Sequence, residues 1–192
     1  MRVISGRARG TKLKTIESMS TRPTLDRVKE SLFNILQKDI TEKNVLDLFA
    51  GSGALGIEAL SRGANKAYFS DSNPEAVKVI KENLTKTRLI DYSKVYNMSY
   101  EKAITKMSNE NVKIDIVFID PPYRLGIAAN SIKLIIQNDL LNENAIIVVE
   151  TDEKERDIKE ILELKNLNKE LQKIEITDLR KYGRASLIFL RV

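Results

Sequence analysis

A strand–turn–helix–strand segment near residue 50 constrains this chain more than any other. Val45-Leu46-Asp47-Leu48-Phe49 is an apolar run of strand length, and Gly51-Ser52-Gly53-Ala54-Leu55-Gly56 follows it directly. A helix bearing Leu55, Ala59 and Leu60 comes next, then a second run, Ala67-Tyr68-Phe69, that ends at Asp71. The glycine spacing is G-x-G-x-x-G, placed after a strand and before a helix. Glycines let the backbone approach a ligand closely, and the helix start offers it free N–H groups. Asp71 stands at the next strand end, where a carboxylate can accept hydrogen bonds from both hydroxyls of a ribose. The segment predicts a parallel βαβ unit that holds a nucleoside.

The same alternation continues to the end of the chain. Residues 2–16 mix apolar positions with glycines and basic residues and read as a small hairpin or loose arm. A helix starts at Arg22-Pro23-Thr24, with Thr24 as its cap, Asp26 in the first turn, and Val28, Leu32, Ile35 and Leu36 on one face. Asn73-Pro74-Glu75 starts another helix with an apolar face of Val77, Ile80 and Leu84. A short strand at Val95-Tyr96, a helix near 100–107, a strand over 114–119 and a helix carrying Ile132, Ile135 and Ile136 follow. After them come a strand over 145–150, a charged helix near 153–164, and two antiparallel strands near 171–179 and 185–191, joined across Lys181-Tyr182-Gly183-Arg184. Strands of four to seven apolar residues alternating with helices predict an α/β fold, a mostly parallel sheet with an antiparallel C-terminal hairpin. We expect a basic N-terminal arm over residues 1–20 and one catalytic domain over 21–192.

Composition narrows the chemistry. The chain has no Cys and no His, so no thiolate nucleophile, Ser–His–Asp triad or His-held metal is available, and no metal site is expected. Chemistry must run on carboxylates, amides, Tyr and backbone groups. No apolar run is long enough to cross a bilayer, and residues 1–7 lack the apolar stretch of a secretory signal; the expectation is a cytoplasmic monomer. Residues 1–44 hold ten Lys and Arg against five Asp and Glu, and the remaining residues hold 22 of each, so the whole +5 surplus lies in the first quarter. Arg2, Arg7, Arg9, Lys12 and Lys14 all precede the first acid. A localised basic arm suggests a polyanionic partner, most simply nucleic acid, although a solubilising tail has the same composition.

Two further features point to a reaction. Asp47 interrupts the first apolar run four residues before Gly51. A dinucleotide would place its pyrophosphate at this turn and be repelled by that charge. S-adenosylmethionine, with an α-ammonium, a sulfonium and no phosphate, would be attracted; a local N–H captured by Asp47 is the structural alternative. The second feature is Asp120-Pro121-Pro122-Tyr123, directly after the 114–119 run. Prolines cannot continue a ladder, so the strand stops there with a carboxylate, rigid carbonyls and an aromatic ring. The amino nitrogen of a base is a poor nucleophile because its lone pair is delocalised into the ring. Acceptance of its hydrogens by Asp120 and the Pro121 carbonyl favours the pyramidal, attacking form, and Tyr123 can stack on the base.

Residues 47–56 and 120–123 resemble the cofactor and catalytic motifs of class I S-adenosylmethionine-dependent methyltransferases that modify amino groups. Ile4-Ser-Gly-Arg-Ala-Arg-Gly-Thr-Lys-Leu13, Arg22-Pro-Thr-Leu-Asp-Arg-Val-Lys-Glu-Ser-Leu-Phe-Asn-Ile-Leu36 and Lys181-Tyr182-Gly183 narrow the resemblance to the RsmD family, which methylates guanine N2 in small-subunit (16S) ribosomal RNA. The resemblance implies a Rossmann-like seven-stranded sheet of order 3-2-1-4-5-7-6. It implies that Asp47, Ala50, Gly51 and Gly53 line the methionine end of the cofactor, that Asp71 holds the ribose with Ser72 beside the adenosine, and that Asn97 and Met98 border the adenine. Asp120, Pro121, Pro122 and Tyr123 would be catalytic. Arg2, Arg7, Arg9, Lys12, Lys14, Arg22 and Arg27 would bind the RNA, free or in an assembling small subunit. The rivals are a methyltransferase acting on adenine N6 or cytosine N4 of DNA or another RNA, an NAD-dependent oxidoreductase suggested by residues 51–56, and a non-catalytic RNA-binding module of the same fold.

Overall fold

The computed structural model describes residues 1–16, 23–122 and 126–192. Its strands form a seven-stranded sheet in the order β3-β2-β1-β4-β5-β7-β6, the order that the family resemblance implies. The chain divides into two compact units, Met1–Ser99 and Tyr100–Val192.

The first unit holds α1 (Pro23–Ile35), β1 (Asn44–Asp47), α2 (Ala54–Ser61), β2 (Lys66–Asp71), α3 (Pro74–Lys86) and β3 (Ser93–Asn97). β1 pairs parallel with β2, and β2 with β3. Val45, Leu46, Ala67 and Phe69 are wholly buried, as strands covered on both faces require. α1 is described from Pro23, two residues before the first helical position that Thr24 as cap would give. Proline suits a first helical position because its missing N–H would have had no partner there. Ile35, expected on the apolar face, is 36% exposed, because the last helical turn leads into a 3-10 turn at Leu36–Lys38.

Two glycines are required by packing. A Cβ on Gly56 would lie 2.3 Å from the Phe69 ring, so α2 reaches β2 only because that position is bare. A Cβ on Gly6 would lie 1.8 Å from the Ser61 carbonyl oxygen. Gly6 belongs to the N-terminal arm, and this contact shows how the arm sits. Arg2 bridges Lys12, and Val3, Ala8 and Leu13 are buried. Of the two forms read for it, the arm takes the hairpin, held against α2. The Ile4 and Ser5 N–H groups donate to the Glu58 carboxylate at 2.8 and 3.0 Å, and the Ala8 N–H donates to Ser61 Oγ. Glu58 is 0% exposed and is matched by Lys29 at 3.4 Å and Arg62 at 2.8 Å. Asn83 of α3 receives the Lys14 N–H and donates to the Lys14 and Ser52 carbonyls.

The second unit holds α4 (Tyr100–Asn109), β4 (Ile114–Ile119), α5 (Ile127–Gln137), β5 (Leu141–Thr151), α6 (Lys154–Leu167), β6 (Glu175–Tyr182) and β7 (Ala185–Arg191). β4 pairs parallel with β5, while β7 runs antiparallel to β5 and β6. The hairpin is the one predicted, but β6 begins at Glu175 rather than near 171. Asn168 captures the Glu170 N–H, and residues 169–173 coil into a 3-10 turn that buries Leu171. Tyr182 pairs with Ala185, so only Gly183, with φ of 62°, and Arg184 make the turn. Among the described residues no helix is long and apolar enough to cross a membrane.

Gly56→Ala is expected to lose about 1–3 kcal/mol of stability, because the added methyl must displace a buried ring. Urea unfolding checks this, and an unchanged midpoint would show that Phe69 yields freely.

Candidate active site

In the first unit the backbone builds a turn whose donors converge on carboxylates. β1 ends at Asp47, and the chain leaves the sheet through Gly51 and Gly53, both left-handed at φ of 53° and 76°. Gly51 donates its N–H to Asp71 Oδ2 at 2.9 Å. The other oxygen of Asp71 accepts the Asn73 N–H at 2.8 Å. Ala50 donates to the Ser70 carbonyl, and the Gly53 N–H returns to the Ala50 carbonyl, so the turn is closed against β2. Asp47 is 3% exposed, and its Oδ2 accepts the Gly56 N–H at 3.0 Å, in the first turn of α2. The structural role weighed for Asp47 is therefore present.

The end of β3 is laced to the end of β2. Met98 donates its N–H to the Asp71 carbonyl, and the Asn97 amide reaches the carbonyls of Asp71 and Ser72 at 3.1 and 3.3 Å. Asn97 thus braces the loop that carries Ser72. Asp47, Ala50, Gly51, Gly53, Asp71, Ser72, Asn97 and Met98 lie on three consecutive strand ends of one unit. Two carboxylates stand along this edge, and residues 47–56 and 71–74 contain no Lys or Arg. The donor set suits a ligand with a cationic end and a ribose. It does not suit a pyrophosphate, which would meet charge of its own sign. The residues present fit S-adenosylmethionine.

In the second unit Asp120 follows the last residue of β4, and Pro121 and Pro122 carry the chain out of the sheet. Tyr123 and Arg22 lie outside the described residues. Asp120 presents surface to solvent, yet its carboxyl group stands among many protein atoms, and that burial pushes it up from 3.8 to about 6. Residue 150 was not among the sequence candidates. It stands one position beyond the pair Ile119 and Val149, as Asp120 does on β4. Burial, and then the Asp120 carboxylate, push Glu150 up from 4.5 to about 8. A signal for it existed: one acid closes the apolar run 145–149, as Asp71 and Asp120 close theirs.

The basic residues differ in availability. Arg2, Arg9, Lys12 and Arg27 are exposed. Arg7 lies over the Tyr92 ring at 4.4 Å, and Lys14 pairs with Glu82 at 2.7 Å.

The raised Glu150 carboxyl sets a pH dependence. The folded chain holds this proton more tightly than the unfolded chain, so the stabilisation is complete below about pH 4.5 and is lost as pH rises through about 8. Glu150→Gln should therefore gain on the wild type between about pH 5 and pH 8 in urea unfolding; a gap that stays constant over that range would contradict the assignment. Asp71→Ala removes the acceptor of two turn N–H groups. It is expected to weaken S-adenosylmethionine binding at least tenfold by calorimetry, an effect of about 1.4 kcal/mol or more.

The family model described as conserved hypothetical protein 95 matches residues 1–191. The chain is 40% identical over 153 residues to ribosomal RNA small subunit methyltransferase D of Haemophilus influenzae, covering 79% of each chain. It is 41% identical over 152 residues to YlbH of Bacillus subtilis, described as a candidate rRNA methyltransferase, covering 79% of this chain and 83% of that one. The solved structure of yhhF from Escherichia coli, a candidate methyltransferase, superposes with a TM-score of 0.81 at 29% identity, covering 100% of this chain and 97% of that one. With the glycine turn, the paired acids and the Asp-Pro-Pro strand end in the expected elements, the chain belongs to the conserved hypothetical protein 95 family, that of the ribosomal RNA small subunit methyltransferases D.

Proposed function

We propose that this chain transfers a methyl group from S-adenosylmethionine to the exocyclic N2 of a guanine in small-subunit ribosomal RNA. The observation that carries the reading is the carboxylate ending β4, fixed by two prolines, in a chain whose glycine turn offers acids and no cation. When bound, the cofactor supplies an electrophilic methyl on a sulfonium, so no strong base is needed to start the reaction. Asp47 and the turn through Gly51 and Gly53 would hold the methionine end. Asp71 would trade its backbone donors for ribose hydroxyls, with Ser72 and Met98 bordering the base.

Asp120 and the Pro121 carbonyl accept the hydrogens of the guanine amino group, which localises its lone pair and orients it. Tyr123 stacks on the base. As the amino nitrogen gains the methyl group it sheds one proton, which the Asp120 carboxylate would accept. A base must leave its stack to be gripped in this way, at a cost of a few kcal/mol, so an RNA loop nucleotide is the expected target. The exposed Arg2, Arg9, Lys12 and Arg27 supply phosphate contacts. The matching reading of context is a cytoplasmic monomer acting on ribosomal RNA or on an assembling small subunit.

Asp120→Ala is expected to lower kcat by about 10²–10⁴-fold while cofactor affinity stays within about twofold. Turnover near the wild-type rate would remove Asp120 from the mechanism. Tritiated cofactor offered with isolated small subunits, naked rRNA and DNA separates guanine methylation from adenine N6 or cytosine N4 activity. Deletion of the arm would confound a binding test, because Val3, Ala8 and Leu13 belong to the core. Arg2, Arg9 and Lys12 replaced together by Gln should instead lower the salt slope of RNA binding by about 2, at about 0.7 per lost contact to single-stranded RNA. An unchanged slope would exclude these three residues from the RNA contact.

A further inference from the structure

Glu150 is a largely buried acid to which the reaction above gives no part. It closes the apolar stretch of β5, whose neighbour β4 is closed by Asp120. The two strands run parallel and in register through Phe118 with Val148 and Ile119 with Val149, so each acid stands one position beyond the last registered pair. On the other flank Glu150 registers with Leu187 of β7, which carries no charge. The same-face neighbours one step away are Phe118, Val148 and Phe189, also uncharged, together with the exposed Asp152. Among the described residues Asp120 is the charged group that acts on Glu150, and no cation or hydrogen-bond donor from α5, α6 or β7 serves it. A carboxylate left in such a place would be costly, and two side by side more so. The buried acid Glu58 shows the ordinary remedy, since it has Lys29, Arg62 and two backbone donors. Glu150 has none of these, and a proton is the remedy that remains.

We propose that Glu150 is a positioning residue that carries the single proton of a two-carboxyl pair and so leaves one negative charge, at Asp120, to receive the amino group. The proposal rests on the reading of Asp120 as the amine acceptor. With Glu150 neutral, Asp120 is free of a neighbouring anion and keeps its place at the strand end. It accepts the amino hydrogens before methyl transfer and one proton after it. That proton then leaves from Asp120, the weaker holder of the two, to solvent, and the pair returns to one proton. When Glu150 also ionises, two anions stand at adjacent strand ends. Their repulsion moves the Asp120 carboxylate from the acceptor position, and turnover falls. The pair titrates as a unit, with the lower step belonging mainly to Asp120 and the upper to Glu150.

The test is the ratio of single-turnover rates at pH 9 and pH 7 within each protein, at saturating cofactor and RNA. The wild type is expected to keep about a tenth of its pH 7 rate at pH 9, as one ionisation near pH 8 requires. Glu150→Gln keeps the shape and cannot ionise, so its ratio should lie near one, and Glu150→Leu should behave alike. Ionisation of guanine itself is common to all three proteins and cancels in the comparison. A ratio near a tenth in both variants would overturn the proposal, as would a wild-type rate that is flat from pH 7 to 9. Asp120→Ala separates the two readings. If it still turns over, the acceptor assignment is wrong; if it is dead while Glu150→Gln keeps the alkaline fall, only the role of Glu150 is lost.

Discussion

The Asp71 carboxylate organises the first unit. One oxygen takes the Gly51 N–H and the other takes the Asn73 N–H, so one side chain ties the glycine turn to the start of α3. Asn73 in turn caps α3 by accepting the Glu75 N–H, and the Asn97 amide and Met98 N–H bind the backbone around residues 71 and 72. Three strand ends are thereby stitched at their carboxyl edge by hydrogen bonds whose acceptors are fixed before any ligand arrives. Preorganisation of this kind lowers the ordering cost of binding. In the proposed function, a ribose entering here would exchange hydrogen bonds with an acceptor already in position.

The chain treats its acids in two contrasting ways. Glu58 is surrounded by Lys29, Arg62 and the backbone of the arm, and it remains an ordinary ion pair centre. Breaking such a cluster is expensive, because one uncompensated charge would stay behind. It fixes the arm, and with it the exposed Arg2, Arg9 and Lys12, as a rigid basic surface rather than a tether. Asp120 is driven upward by burial, and Glu150 by burial and then by the Asp120 carboxylate. The first arrangement serves stability, while the second brings both proton affinities toward neutral pH, as the proposed amino-group chemistry requires.

Strands β1, β2, β4 and β7 were readable because each is dominated by apolar residues with few polar breaks, a pattern that burial on both faces produces. The turn at Gly51 and Gly53, the cap at Asn73 and the stop at Pro121 were readable for a local reason: each is a residue type with few backbone options. Three things were not. The segment 171–173 reads as the start of a strand, and the Asn168 cap instead turns residues 169–173 into a 3-10 turn. The arm reads as either a hairpin or a loose segment because its apolar residues are few, yet Gly6 fits against Ser61 with no room for a methyl. Glu150 looked like a strand end of no consequence, since its partner lies thirty residues away in sequence.

The amino-acid sequence by itself determined which segments are strands, where the chain must turn, and which residue types are available for chemistry, because these follow from side-chain shape, backbone freedom and the absence of Cys and His. Only the tertiary structure decided which charges are neighbours. Glu58 meets two N–H groups more than fifty positions away, and Asp120 meets Glu150. Electrostatic energy depends on distance and on the water that burial removes, and neither is written along the chain.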